Sequence, residues 1–189
     1  IGGGNTDIAV ISLGGVVRSK NVRIAGDRFN EDIISYIRNE FKILIGERTA
    51  ESIKIAIGSV IEGRERVEAP VRGRDLVTGL PREVIITDAD IREAISSSIF
   101  TLIDAVKEVL ETTPPEVLSA VMARGIVLVG GGATISGFAE LLGDSLHIPI
   151  HIAPDPMTAV VRGTGIIIEK LDEHRDVLID SDEGISPIE

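Results

Sequence analysis

At 189 residues the chain is long enough for one large domain, or two small ones, around a sizeable core. Its formal net charge of −11, from 30 acidic and 19 basic residues, argues against nonspecific binding to nucleic acid or anionic membrane, both of which need basic patches. With no cysteine it can form no disulfide, thiolate metal site or cysteine nucleophile, which fits a cytosolic protein. No apolar stretch approaches the length of a membrane span, and the first residues do not read as a charged-then-apolar signal peptide. Aromatics are 3% against 43% hydrophobic residues, so the core must be built from Ile, Val, Leu and Ala.

The chain opens on Ile1 and enters Gly2-Gly3-Gly4-Asn5-Thr6-Asp7 at once, with an alternating strand behind it at Ile8, Val10, Ile11 and Leu13. A glycine loop that feeds a strand ordinarily follows another strand, so Ile1 reads as the end of a strand in a longer protein and the chain as its C-terminal fragment. Gly14-Gly15 signals a hairpin turn, after which Val16, Val17, Val22 and Ile24 continue an antiparallel meander. Asp27 is placed to cap a helix to about Phe41, with Phe29, Ile33, Ile34, Ile37 and Phe41 at helical spacing. After Ile43-Leu44-Ile45 and Gly46, a helix from about Thr49 turns Ile53, Ile57 and Val60 inward. Glu51 and Lys54 stand on its opposite face, where an exposed ion pair is worth roughly a few tenths of a kcal/mol.

From Gly63 to Thr87 the pattern changes to short β segments, with Val67, Ala69 and Val71 alternating and Val84, Ile85 and Ile86 following Gly79-Leu80-Pro81. VRGRDLVTGLPR suits an exposed hairpin, and Arg72, Arg74 and Arg82 could serve as an anion site, a solvated edge or a partner contact. Thr87-Asp88-Ala89-Asp90 reads as a capping box with Asp in place of Glu. It opens a long helix to about Leu110, striped by Ile91, Ile95, Ile99, Leu102, Ile103, Val106 and Leu110. Pro114 and Pro115 break it and start the next helix, over 116–123.

GIVLVGGGATISGF, residues 125–138, comes next. The run Ile126 to Val129 suits a strand buried on both faces, and Gly130, Gly131 and Gly132 permit a sharp turn and close approach. Thr134 and Ser136 are candidate N-caps of a helix that carries Phe138, Leu141 and Leu142 inward. Pro149 to Ile152 is a short strand, and Pro154 and Pro156 lead into a helix ending near Leu171. Residues 172–189 hold seven acids against Arg175 and read as a solvated, disordered tail. The whole describes one α/β unit with a small α+β insertion at about 47–87.

No nucleophile–base set stands out. His147, His151 and His174 lack ligand spacing, and Ser96 to Ser98 have no base beside them. A GxxxxGK phosphate loop and a GxGxxG after the first strand are both absent. Two glycine loops remain, GGGNTD and GGGAT, with Glu51-x-x-Lys54 between them in sequence. A strand, glycine turn and helix present backbone N–H groups and a positive helix end to a phosphate or sugar. Two such loops and the Glu51–Lys54 helix could hold a nucleotide from three directions. Thr6 and Asp7 are candidates to orient a water or a Mg²⁺ shell, though Asp7 reads equally as a turn residue.

IGGGNTDIAVISLGG, AGDRFNEDII, LIGERTAESIKI, VRGRDLVTGLPR, TPPE and GIVLVGGGATISGF, in this order, resemble the C-terminal half of the actin/Hsp70/sugar-kinase ATPase superfamily. ERTAE and GRDLVTGLPR make the chain similar, within it, to the MreB family of bacterial actin homologues. The resemblance implies an RNase H-like actin subdomain over 1–46 and 88–171 and a small inserted subdomain over 47–87. It implies ATP held by Gly3, Gly4 and Asn5 at phosphate, by Glu51, Ser52, Ile53 and Lys54 at ribose and base, and by Gly131, Gly132, Ala133 and Thr134 at the adenosine. Asn5 and Thr6 would help position a water. The first phosphate loop, the Mg²⁺-binding Asp and the catalytic Glu would all lie upstream of Ile1, so the resemblance places no catalytic residue or metal ligand in this chain.

Family members form cytoplasmic filaments beneath the membrane, hydrolyse ATP slowly and organise cell-wall synthesis and cell shape. The implied partners are filament protomers and membrane proteins of shape and wall synthesis, with membrane contact through the N-terminal half and no nucleic acid. The fragment alone would be inactive. The family usually has Thr where this chain has Asn5, so binding should survive better than hydrolysis. The alternatives are a small-molecule kinase of the same fold, which needs an acidic base and a substrate cleft, or an Hsp70-type ATPase, which needs a following substrate domain.

Overall fold

The computed structural model describes residues 1–63 and 66–174, and the expected acidic tail lies outside the described residues from residue 175 onward. Strands β1 (Thr6–Ser12) and β2 (Gly15–Val22) pair as an antiparallel hairpin. Its turn sits one residue earlier than the glycine pair suggests. Ser12 pairs with Gly15, and Leu13 and Gly14 take φ of 52° and 80°. Positive φ at both central residues matches the twist of the strands. Gly14 adopts it freely, whereas Leu13 does so at about 1–2 kcal/mol.

Helix α1 (Gly26–Phe41) buries Phe29, Ile33 and Ile37, as their spacing requires. Its N-cap is Ala25, with no side-chain bond, so Asp27 is not the cap. Asp27 lies in the first turn instead, where a carboxylate favours the positive helix end. Then follow β3 (Ile43–Leu44), α2 (Glu47–Ile57), β4 (Glu68–Asp75) and β5 (Pro81–Thr87), with the three strands in one antiparallel sheet ordered β3-β4-β5. Ile43 and Leu44 pair with Asp75 and Arg74, so this sheet reaches back before residue 47. Alternation along β4 turns Val71 and Asp75 inward and Arg72 and Arg74 outward.

Helix α3 (Asp88–Glu111) begins at the expected capping box: the Thr87 hydroxyl accepts from the Asp90 N–H, and the Asp90 carboxylate accepts from the Thr87 N–H. Its stripe of Ile91, Ile95, Ile99, Leu102 and Ile103 is buried, and the helix packs on α1. The chain continues through α4 (Pro115–Arg124), β6 (Ile126–Leu128), a 3-10 turn (Gly131–Thr134), α5 (Phe138–Leu146), β7 (Ile150–Ile152) and α6 (Ala159–Glu169). β6 and β7 pair in parallel.

The entry to α5 and the cover of β6 differ from the sequence-based expectation. Thr134 and Ser136 do not cap α5, which is entered through Gly137 in the left-handed region. The Thr134 hydroxyl is turned back to the Gly131 carbonyl at 2.7 Å, and the Ser136 carbonyl receives the Val60 N–H at 2.9 Å. Nor is β6 covered on both faces: Leu128 is 7% exposed but Val127 is 61% exposed. β1 and β6 belong to separate sheets among the described residues. Between them lies a cavity of about 590 Å³ lined by Ile8, Val10, Leu102, Val106, Val121 and Val127, among others.

Candidate nucleotide site

The two glycine loops, more than a hundred residues apart in sequence, meet at Ile1. Its amino group donates to the Val129 carbonyl at 2.8 Å, and the Gly132 N–H donates to the Ile1 carbonyl at 3.1 Å. This contact dictates two of the three glycines. A Cβ at Gly130, where φ is +88°, would fall 2.2 Å from the Ile1 oxygen, and one at Gly132 would fall 2.3 Å from Ile1 Cγ2. Gly131 differs: it is exposed, and nothing lies within 4 Å of where its Cβ would be. Of the three, Gly131 alone leaves a face open to a ligand.

The first loop is held from its other side by the start of α1. The Gly26 N–H donates to the Gly2 carbonyl at 3.0 Å, the Asp27 N–H to the Gly3 carbonyl at 2.8 Å, and the Gly2 N–H closes the turn on Asn5 at 3.1 Å. The exposed N–H groups of Gly3 and Gly4 make no hydrogen bond among the described residues. Two free backbone donors therefore sit at the end of the β1 hairpin, beside the N-terminus of a helix. That donor set fits the oxygens of a phosphate. Asp27 belongs to the same place, since a Cβ at Gly3 would lie 3.6 Å from its Oδ1.

Lys54 reaches this corner from α2. It does not pair with Glu51 across an exposed face. Its Nζ donates to the Gly26 carbonyl at 2.9 Å and to Asn30 Oδ1 at 2.8 Å. Burial pushes the lysine pKa below its ordinary value, while Glu51 and Asp27 pull it back up. Lys54 thus pins the first turn of α1, which in turn grips the first glycine loop. Gly26 and Asn30 had no part in the site as read from sequence. Asn30 carried a signal, being a polar residue beside Phe29 on the face that faces the core, where it must find a partner.

The remaining expected residues divide by burial. Glu51 and Ser52 are exposed on α2, with the Ser52 hydroxyl turned to the Arg48 carbonyl at 2.8 Å. Ile53 is 5% exposed and Ala133 is 0% exposed, so their side chains fill the core and can offer a ligand only neighbouring backbone. Thr6 faces inward on β1, and its hydroxyl donates to the Ile24 carbonyl at 2.7 Å rather than facing a water. Asn5 is exposed, its amide donating to Asp7 Oδ2 at 2.9 Å, while Asn21 donates to Asp7 Oδ1 at 2.6 Å. Asp7 therefore fixes the exit of the loop. Thr134 stands exposed beside Gly131. Among the described residues no group of three or more acidic or histidine side chains could hold a metal ion.

Two loops joined edge to edge, N–H groups without a partner among the described residues and a lysine-braced helix start make up the candidate site. The family described as MreB/Mbl protein matches residues 1–176. The chain belongs to the MreB/Mbl family. It is 44% identical over 173 residues to the cell shape-determining protein Mbl of Bacillus subtilis, covering 92% of this chain and 52% of that protein. It is 48% identical over 174 residues to the cell shape-determining protein MreB of Escherichia coli, covering 92% of this chain and 50% of that protein.

The crystal structure of MreB5 of Spiroplasma citri bound to AMPPNP superimposes with a TM-score of 0.88 at 39% identity, over 93% of this chain and 53% of that one. A MamK double helical filament shares the fold, at a TM-score of 0.75 and 22% identity over 89% of this chain and 52% of that one. The chain thus has the α/β actin-like fold, and it spans about half the length of the curated relatives it matches. No helix among the described residues is long and apolar enough to cross a membrane.

Proposed function

We propose that this MreB/Mbl chain supplies one wall of the ATP site of a cytoskeletal protein that polymerises into filaments, and that those filaments lie at the membrane and organise cell-wall synthesis. The observation that carries the reading is the junction at Ile1, where the two glycine loops are bonded into one surface with the Gly3 and Gly4 N–H groups unspent. In this reading Gly3, Gly4 and Asn5 meet the phosphates, Lys54 braces the loop through α1, Glu51 and Ser52 border the ribose, and Gly131 and Thr134 border the adenosine. MreB5 of Spiroplasma citri, solved with AMPPNP and with ADP, supports a nucleotide here.

The residues present fit a phosphate but do not make a metal site by themselves, so the Mg²⁺ ligand, the first phosphate loop and the catalytic Glu are assigned to the rest of the longer protein. Mg²⁺ bound there would offset phosphate charge. This chain's own contribution is to bind and orient. Asn5 offers an amide where the family usually has a hydroxyl, and one of its two N–H donors is already given to Asp7, so hydrolysis is slowed more than binding. The test is a fluorescent ATP analogue titrated into the full-length protein, with sedimentation of the same samples. ATP binding with nucleotide-dependent pelleting is the expected result. A full-length protein that binds no ATP overturns the reading.

A further inference from the structure

Between α2 and β4 the chain crosses the exit of the second glycine loop as a short strap, residues 58–61. Ser59 forms a parallel bridge with Ser136, and the Val60 N–H donates to the Ser136 carbonyl at 2.9 Å. The Ser59 hydroxyl donates to the Ile61 carbonyl at 2.8 Å, which turns Ile61 onto Gly137. Gly137 takes φ +78°, and a Cβ there would fall 2.2 Å from Ile61 Cγ1, so the absent side chain is the seat of Ile61. From the other side Arg92 of α3 donates to the Ile61 carbonyl at 2.9 Å and pairs with Asp88 at 3.1 Å. Asp88 also holds the chain beyond the strap: its N–H donates to the Val67 carbonyl at 2.9 Å, and its Oδ1 accepts the Val67 N–H at 3.2 Å. The segments that lead into and out of the small sheet are thus tied to each other and to the second loop at one place.

The strap lies between the two surfaces assigned above to the ribose and the base. Glu51 and Ser52 stand on α2, which ends two residues before Ser59, and Gly131 and Thr134 stand on the 3-10 turn, which ends two residues before Ser136. The phosphate end is fastened separately, by the bonds of Ile1, Gly26 and Lys54. We propose that Ser59, Val60 and Ile61, seated on Ser136 and Gly137 and anchored by Arg92, are positioning residues for the base end of the site. They set the gap between α2 and the second glycine loop, so that a whole nucleotide is held more tightly than its phosphate chain alone. The proposal rests on the nucleotide reading above and deepens it. A gap fixed before the ligand arrives spares the ordering of two walls on binding, and walls held only loosely would forfeit that gain. The strap acts through backbone bonds and one apolar seat, and so through the two walls rather than by touching the ligand.

The experiment compares full-length protein with three variants. Gly137→Ala drives a Cβ into Ile61, Ile61→Ala empties the seat without a clash, and Ile61→Val keeps a Cγ against Gly137. A fluorescent ATP analogue is displaced in turn by ATP and by tripolyphosphate, and the ratio of the two affinities is read. In Gly137→Ala and Ile61→Ala the ratio should fall at least about tenfold, through weaker ATP with tripolyphosphate within about twofold of the parent. Ile61→Val should keep the parent's ratio. General loss of the fold weakens both ligands together and leaves the ratio alone, and Ile61→Ala decides where Gly137→Ala does not fold. An unchanged ratio in Ile61→Ala overturns the proposal and leaves the nucleotide reading standing. Parent protein that binds the analogue but never yields it to tripolyphosphate overturns the proposal as well, because the phosphate end would not then hold by itself. Parent protein that binds neither the analogue nor ATP overturns the nucleotide reading and the proposal with it.

Discussion

Replacing Lys54 with Met tests whether the first glycine loop is braced through α1. Lys54 Nζ gives hydrogen bonds of 2.9 and 2.8 Å to Gly26 and Asn30, and Asn30 is 3% exposed. Met keeps the stem and removes both donors. Each orphaned acceptor costs about 1–3 kcal/mol when fully buried. Lys54 is half-buried, so water reaches part of the gap and the expected loss is near the low end, about 1–3 kcal/mol in all. Urea denaturation should show a lower midpoint with an unchanged slope. Gly26 and Asp27 hold the loop carbonyls, so ATP-analogue affinity should fall alongside stability.

The pH dependence adds a signature. Burial sets the folded-state pKa of Lys54 below its ordinary 10.5, so the folded protein binds fewer protons than the unfolded one just below that pH. Stability therefore rises with pH through that window in the parent, and the Met variant should lack this rise. A Met variant with the parent's urea midpoint and nucleotide affinity would refute the bracing argument.

Gly130→Ala should destabilise the chain strongly, because both its φ of +88° and the Ile1 oxygen oppose a Cβ. Gly131→Ala should leave the melting temperature near the parent's and weaken ATP-analogue binding, as its side chain points into open space. Asp75, pushed down to about 2 from 3.8 by the Thr78 and Val77 N–H groups and by Arg82, stabilises the fold fully above the unfolded value and loses that contribution as pH falls toward 2. Parent and Asp75→Asn melting curves recorded from neutral pH downward should therefore converge across that interval. An extended apolar strand fused ahead of Ile1 should enter the cavity between β1 and β6, raise the melting temperature and slow amide exchange in both strands. Unchanged exchange in β6 would count against that placement.

Elements governed by local periodicity were legible from the sequence. The Ile91 to Ile103 stripe, the Thr87 capping box and the Pro114–Pro115 break each depend on neighbours within one or two turns, and each stands where its residues place it. The misread features all depend on distant partners. Lys54 reads as half of a surface pair with Glu51 because nothing local shows Asn30 and Gly26 beneath it. Thr6 reads as a water-binding hydroxyl because the strand register that turns it inward is set by pairing with Val22. Asp27 reads as a cap because Asp is common at caps, whereas the helix starts two residues earlier, with Ala25 at the cap and the Gly26 N–H bonded to Gly2. The glycine run stands out in the sequence, but sequence cannot separate the glycines a neighbour requires, Gly130 and Gly132, from the one left open, Gly131.

Ile1 gives the site its internal logic. Its two polar backbone groups go to Val129 and Gly132, and the residue after it is gripped by Gly26. If the proposed reading holds, a ligand that drew Gly3 and Gly4 toward its phosphates would pull on α1 through the Gly2 and Gly3 carbonyls and on the second loop through Ile1. Two such bonds are worth about 1–3 kcal/mol together, comparable to the coupling that links sites in allosteric proteins. The small sheet is connected to the same corner, since α2 carries Lys54 and the Val60 N–H beyond it bonds Ser136 just past the second loop. The β4–β5 tip is tied in turn to Lys42 at the end of α1. Helix α1 is thus held by the first glycine loop at its first turn and by the β4–β5 turn at its C-cap, about 24 Å apart at 1.5 Å per residue over its 16 residues.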